Sequence, residues 1–555
     1  MELRQAGPAA RAVALACALL ALAGTPAFAQ EAESRSQAVR PDATLTRPSS
    51  PTRPPRDHFL NAVQAARLAA REPKLQEELR KHDQVRRETF AKGPGRWQVS
   101  WFADGDEVAQ VIVDERQGRA IEVWTGPQVA WQMARGLEGA FGRKVNSPWV
   151  WIPLMAVFFV PFFDPRRPFR LLHLDLLVLL SFSVSHVFFN RGEIFTSVPL
   201  VYPGLVYLLV RMLMLARTLR ASRAPARGMP FLLVPATWLV LALVFLVGFR
   251  LGLNVTNSNV IDVGYSGVIG ADRIADGKDL YGSFPDDNPS GDTYGPVSYY
   301  AYTPFEQLFP WSGTWDDLPA AHAAAVTFDL LMMLALFAVG LRLRPGPDGR
   351  LLGLVLAYAW AAYPYTLFVL SSNANDSLVA LLVTVAFLVL SSPRARGVAL
   401  ALAASTKFAP LALVPLWASH PNRRARDAAA FGLAFAAVIV LAFAFAVPDG
   451  GVRELWDRTV GFQLGRDSPF SIWGQEDLGL LQDVVKAGAV LLAVAFAFVP
   501  ARKTVLQVAA LGAAVLIALQ LGLSHWFYLY IVWWLPLALI ALFGAAAPTR
   551  ARPAP

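Results

Sequence analysis

Cysteine is almost absent from this chain: Cys17 is the only one in 555 residues. A disulfide framework, a thiolate metal site and a cysteine nucleophile are therefore excluded from everything after the first stretch. Histidine is scarce too, at seven scattered residues, and no two of them stand at i, i+4 as a helical zinc site requires. A Gly-rich phosphate loop and a nucleophile elbow are missing. No internal repeat is visible, which removes the paired halves common in secondary transporters. Charged residues make up only 16% of the chain, too few for a soluble enzyme of this length.

What is present is apolar. Hydrophobic residues reach 55% and the mean hydropathy is +0.40, the composition of a multi-span membrane protein. The net charge of +9 could suggest nucleic acid. However, the arginines cluster in short loops between apolar runs, as the positive-inside rule predicts, so no nucleic-acid partner is expected. The start, MELRQAGPAARAVALACALLALAGTPAFAQ, joins Arg4 and Arg11 to a short apolar run and the small-x-small triplet Ala27-Phe28-Ala29. It reads as a signal peptide over residues 1–29, with an uncleaved anchor helix as the rival.

Residues 30–56 are rich in Pro, Arg, Ser and Thr and read as a disordered linker. A small α+β domain is expected over 57–146. Helical spacing runs from Asp57, a plausible N-cap, to about Lys92, divided by Pro73. Three β-type runs follow, RWQVSWF, EVAQVIVD and GRAIEVWTG, with turns between them. The W-x-V-x-W-F strand, the V-x-V-D-x-x-x-G turn and the E-V-W-T-G run resemble a PepSY-like domain; a plain folding unit with no site is the alternative.

From Pro148 onward about eleven spans are expected, near 148–163, 171–189, 194–216, 230–250, 320–341, 351–371, 377–392, 427–447, 481–499, 504–521 and 526–543. They divide into a three-span accessory module (147–228), a membrane core (229–545) and a cytoplasmic tail (546–555). The loops holding DPRRPFR, RLRPGPDGR, SPRARG, HPNRRARD and PARK fall on one side. The loops 251–319, SNAND and 448–480 fall on the other, which the positive-inside rule makes the outer side. One segment breaks this rhythm: 398–419 lies between two Arg-rich loops, yet about 20 residues are needed for a single crossing. A re-entrant pair of half-helices broken around Thr406-Lys407 and Pro410 resolves the conflict and places Lys407 at membrane depth. A charge there is costly and marks a functional site, unless Lys407 snorkels to the interface from a single span.

The polar residues left near the outer interface are few. Asp262 follows a span by about a dozen residues and is the leading carboxylate, as general base or as an N-cap. Asp272, Asp276 and Asp279 read as a solvated helix face and turn. Cations that can hold a phosphate are Lys407, His525 and Arg466. Tyr265, Tyr281, Tyr294 and Tyr302 are candidates for stacking on sugar, and Asn375 and Asp376 for binding hydroxyls or for capping. Beyond adjacent pairs such as Asp286-Asp287 no compact acidic cluster appears, so no metal or other cofactor is demanded.

These features have a common order. Asp262-Val263-Gly264-Tyr265 is followed by Gly277-Lys278-Asp279-Leu280-Tyr281 and TYGPVSYYAYTP, then by Lys407 to Pro410, by Ser468 to Ser471, and by Ser524-His525-Trp526-Phe527-Tyr528. Over roughly residues 230–543 this resembles the GT-C membrane glycosyltransferases, most closely family 87, the polyprenyl-phosphate-mannose-dependent mannosyltransferases. The resemblance implies an all-α polytopic fold and an active site on the extracytoplasmic face of the plasma membrane. It further implies inverting transfer of a hexose, mannose being the expected one, from a polyprenyl phosphate to a glycolipid or glycan, without a nucleotide sugar in the site. Three extra spans and the α+β domain precede the part that resembles the family. A transporter or lipid flippase using Lys407 and Asp262 as coupling charges is one rival, and a non-catalytic sensor is another.

Overall fold

A computed structural model describes residues 45–545 apart from 93, 104–105, 117, 126–142, 191–193, 220–231, 286–287, 289, 314, 316–317, 466–469 and 477. The expected signal segment, Asp286-Asp287, Arg466 and the tail lie outside the described residues.

The first unit is two short helices on an antiparallel meander. Helices α1 (Ala62–Ala69) and α2 (Pro73–Leu79) precede β2 (Arg86–Lys92), β3 (Arg96–Ala103), β4 (Asp106–Asp114) and β5 (Arg119–Thr125). The first helix is capped by Asn61, not Asp57. Asn61 accepts from the Gln64 amide while the Gln64 side chain returns a bond, a reciprocal capping box. Asp57 instead takes a positive φ of 68°. Residues 86–92 are strand and not helix, since Arg86 to Ala91 pair across to Phe102 to Trp97. Alternation along β3 points Trp97, Val99 and Trp101 to one face, opposite Val113, Val111 and Ala109 of β4, and α1 covers them with Ala62, Ala65, Ala66 and Ala69. Part of the stretch read as linker is held here as well. Leu45–Thr46, here β1, pairs with Lys92 and Ala91, and Arg47 bridges to Glu88.

A buried knot fastens this unit. Glu115 accepts from the Phe59 amide (2.7 Å), from the Trp97 indole, and pairs with His58 Nδ1 (2.7 Å). Burial alone would raise its pKa, but these donors outweigh that and hold the carboxyl below its ordinary value.

Helices stand at each expected span. Among the described residues six are long and apolar enough to cross a membrane by themselves: Leu171–Asn190, Pro199–Thr218, Ala236–Thr256, Pro319–Leu343, Ala425–Ala444 and Gly479–Phe498. The pair Gly346–Ala362 and Pro364–Ser371, bent by 59°, is a seventh if counted as one span. Among the described residues, length and composition by themselves therefore carry six or seven of the eleven expected spans. The helices Pro148–Phe159, Asp376–Leu388, Val505–Leu521 and Ile531–Gly544 are shorter. At about 1.5 Å per residue, thirteen residues reach about 20 Å, less than the hydrocarbon core. A helix surrounded by protein need not match that thickness, and Asp376–Leu388 is buried at every position. By contrast, Ala236–Thr256, Ala425–Ala444 and Gly479–Phe498 leave most of their apolar surface exposed, as lipid-facing helices do.

The loops separate into two sets, one at each end of the bundle. At one end Arg342 reaches Ser391 (2.7 Å), Arg344 reaches the Gly544 carbonyl (3.1 Å), and the Lys503 amide reaches the Pro421 carbonyl (3.0 Å). At the other end Asn259 meets Ser371 (3.0 Å), Gly295 meets Thr406 (3.2 Å) and Trp526 meets Phe470 (3.1 Å). The grouping matches the one expected from charge.

The 393–418 segment turns back on itself. Its first helix, Pro393–Ala404, stops at Ser405, and a 3₁₀ turn (Ala409–Leu413) and the short helix Val414–Ala418 lead back. Arg396, fully buried, donates to the carbonyls of Leu390 (2.8 Å) and His420 (2.6 Å), so both ends of the hairpin meet on the Arg-rich side.

A second buried arginine ties three helices. Arg250 meets Asp329 through two bonds (2.6 and 3.0 Å) and donates to the Ala361 carbonyl (3.0 Å) and Thr366 (3.2 Å), while Trp360 donates to the same carboxylate (2.8 Å). Removing one partner leaves an uncompensated charge in a dry interior, so Asp329→Ala is expected to cost about 3–5 kcal/mol. The double change Arg250→Met with Asp329→Leu is expected to recover most of that in melting of the purified protein. Cysteines placed at positions 394 and 424 are expected to react with an impermeant maleimide from the same side of the membrane. Labelling from opposite sides would exclude the hairpin.

Candidate functional site

The turn SNANDS organises one end of the bundle. Asn373 takes the left-handed conformation (φ 51°), which asparagine tolerates better than most residues. Its side chain accepts from Asn254 (2.8 Å) and donates to Ser258 (3.0 Å) and the Asn259 carbonyl (2.9 Å). The chain at 259–261 is thereby laid along 371–372, with Ile261 N–H on the Ser372 carbonyl at 3.2 Å. The next residue, Asp262, opens the helix Asp262–Ala275. Ile261 occupies the N-cap, so Asp262 is the first helical residue, half-buried. Gly264, one turn in, lies so close to the Asn373 carbonyl that a methyl group would collide with it.

Three residues after Asn373 comes Asp376, completely buried. Its Oδ1 receives Lys407 Nζ at 2.6 Å and Trp533 Nε1 at 2.7 Å. Lys407 stands in the break of the hairpin, where the carbonyls of Ser405 and Thr406 are released from the helix and taken by the amides of Val297 (3.0 Å) and Gly295 (3.2 Å). Only glycine permits that approach, since a Cβ at 295 would strike the Ser405 carbonyl. Aromatic rings enclose the ammonium: Tyr294 at 5.2 Å, Trp533 at 5.5 Å and Tyr530 at 5.9 Å, within cation–π range. His525 lies beyond Tyr530, ring to ring at 6.2 Å, and beside Phe470 at 5.4 Å.

Several polar atoms around this pair take no hydrogen bond from the described residues. They are Asp376 Oδ2, Asn375 Oδ1, the Tyr302 hydroxyl and Ser405 Oγ, all buried. Tyr302 belongs to the same neighbourhood: burial first, and then the Asp376 charge, push its phenol well up. Asn375 donates its amide to Ser298. Each such group costs about 1–3 kcal/mol if left unmet, so the arrangement suits a ligand rich in hydroxyl and phosphate oxygens. One donor of the lysine serves Asp376, and two of its three remain for an anion.

The expected site residues thus divide. Lys407, Asp376, Asn375, Tyr294 and Tyr302 come together; Asp262 opens the helix packed against the turn that carries Asp376, and His525 lies one ring away. Tyr265 is buried against Trp315 (4.8 Å, stacked) and Trp311 (5.8 Å). Tyr281 is buried with its hydroxyl on the Tyr294 carbonyl at 2.8 Å, so both serve packing. Trp533, Tyr530 and Gly295 are additions. Tyr530 and Trp533 stand three apart, the spacing that puts two side chains on one helix face, and that spacing was the available signal. Asp272 is also more than a solvated face: burial, then Asp276 and Glu306, raise its carboxyl to about 6. Among the described residues no group of His, Cys, Asp and Glu is arranged to hold a metal ion.

Residues 293–523 match the family model for glycosyltransferase family 87. The match covers less than half of the chain and supports a membrane glycosyltransferase of that type. It takes in Tyr294, Tyr302, Asp376 and Lys407; His525 falls just beyond its end, and Asp262 lies well before its start. No curated protein matches the chain.

A carboxyl whose pKa is raised in the fold binds its proton more tightly there, so its contribution falls as pH rises from 3.8 to about 6. Asp272→Asn is therefore expected to be more stable than wild type at pH 7.5, by about 1 kcal/mol after allowing for partial exposure. The difference should vanish near pH 4 in paired melting curves.

Proposed function

We propose that the protein transfers a hexose, with mannose the first to test, from a polyprenyl phosphate to a hydroxyl of an extracytoplasmic glycolipid or glycan. The loops at 259–318, 371–376 and 446–475 would then face outward. The observation that carries this reading is the buried Lys407–Asp376 pair at a broken half-helix, surrounded by aromatic rings and unmet polar atoms. It supplies what a lipid-phosphate donor needs: a fixed cation at interface depth, hydroxyl-binding groups beside it, and little bulk water to screen either.

In this mechanism the acceptor hydroxyl attacks the anomeric carbon on the face opposite the phosphate, and Asp262 takes its proton. The bond between the anomeric carbon and the phosphate oxygen breaks, and its electron pair leaves with the phosphate. Lys407 neutralises that charge, His525 stands near enough to assist, and the configuration inverts. Asp376 is a positioning residue: with Trp533 it holds the ammonium at one point. Asn375, Tyr302 and the free Asp376 oxygen receive sugar hydroxyls. A soluble nucleotide sugar has no part in the step, and nothing in it calls for a metal.

Membranes carrying the wild-type protein are expected to move label from polyprenyl-phosphate [¹⁴C]mannose to a glycolipid fraction. Asp262→Asn should lower the rate by about 10²- to 10⁴-fold, the usual range for general-base loss. Equal rates would remove Asp262 as the base, and no transfer from any polyprenyl-linked hexose would overturn the reading. Gly295→Ala, which displaces the Ser405–Lys407 backbone while keeping every catalytic side chain, is expected to reduce transfer at least tenfold.

A further inference from the structure

A cleft of about 540 Å³ opens between the two long loops at the Asp262 end, within the range of small-molecule sites. It is separate from the Lys407 cage but adjoins it through the chain, since its wall residue Thr293 precedes Tyr294. Its floor is an ionic brace. Asp292, buried, accepts from Arg458 (3.0 Å) and from the Gly282 amide (2.8 Å), and Glu454 accepts from Arg458 Nε (2.7 Å). Beneath lies a small apolar cluster of Leu280, Tyr281, Tyr299, Ala446 and Leu455 that joins the two loops. Above the brace, Arg453 and Asp457 are exposed, and Phe462 stands at the edge. The residues Asp457–Gly461 form a turn of π-helix, a rare element that re-aims side chains and recurs at functional sites.

The chemistry of this lining selects a class of ligand. Three carboxylates face two guanidinium groups, and Arg458 is already shared between Asp292 and Glu454. A phosphate would find one uncommitted arginine and three repelling carboxylates. An apolar ligand would leave the charges unmet. A neutral saccharide suits it: carboxylates accept from hydroxyls, arginine donates to them, and an aromatic ring covers the C–H face of a pyranose.

We propose that this cleft holds the neutral saccharide portion of the acceptor and delivers its reactive hydroxyl past Thr293 and Tyr294 to the Lys407 site. This deepens the glycosyltransferase reading and rests on it for the word acceptor; the binding itself does not.

The test uses the full-length protein in nanodiscs and saturation-transfer NMR, with mannobiose, maltose and cellobiose as neutral probes. At least one is expected to bind at millimolar concentration, and Asp457→Asn, Arg453→Ala and Phe462→Ala should each weaken it about tenfold, with unchanged melting temperature. Inorganic phosphate at 10-fold excess should not displace it. Binding unaffected by all three variants, displacement by phosphate, or no binding by any probe would overturn the proposal. Transfer from polyprenyl-phosphate mannose to the bound disaccharide separates the two readings. In Asp457→Asn the acceptor KM should rise about tenfold while the donor KM stays. Unchanged acceptor KM would sink the cleft and spare the transferase, whereas saccharide binding without transfer from any polyprenyl donor would do the reverse.

Discussion

Backbone polar groups buried inside a helical bundle have no water to meet them, and the organisation of this protein follows from how it meets two of them. Breaking a helix at Ser405 frees the carbonyls of Ser405 and Thr406, and the amides of Val297 and Gly295 arrive from a distant loop to bind them. That exchange fixes the loop against the hairpin, puts Tyr294 over Lys407, and leaves the lysine facing Asp376 (2.6 Å) in place of lipid. Without the glycine at 295 the two backbones could not close, and without closure the broken end would be too costly to bury.

Two of the buried ion pairs do different work under the same electrostatics. Arg250 and Asp329 are satisfied on every side, by a threonine, a carbonyl and an indole besides each other; such a closed network holds helices in place. Lys407 and Asp376 are left half satisfied, with a carboxylate oxygen and neighbouring amide and hydroxyl groups unmet. A closed pair is architecture, whereas an open one pays in stability for readiness to bind.

Much of this was legible in the sequence, for identifiable reasons. The hairpin at 393–418 followed from charge bookkeeping, because two arginine-rich loops cannot face opposite sides without breaking the positive-inside pattern. The meander strands showed in the alternation of Trp97, Val99 and Trp101. The site was legible as individual residues but not as a constellation. Asp376 looked like a cap, and nothing local says that it meets Lys407, thirty-one positions on, or Trp533 near the end of the chain. Long-range partners of that kind leave no periodicity. Hydropathy registers every apolar run alike, while buried helices such as Asp376–Leu388 are apolar because protein surrounds them. At the start, Asn61 outcompeted Asp57 as cap because Gln64 stood in place to reciprocate.

Trp533 places a condition on biogenesis. In a chain synthesised from its N-terminus, Asp376 and Lys407 are made well before the helix Ile531–Gly544 emerges. Until then Asp376 lacks its indole donor and Lys407 lacks two of its three rings. The Tyr528 hydroxyl, which binds Ser185 and Ser197 of the early helices (2.6 and 2.9 Å), arrives at the same late moment. A helix synthesised after both charged residues therefore closes the site and the seam to the early helices, and a chain truncated before residue 528 carries Asp376 and Lys407 without the enclosure that gives them their chemistry.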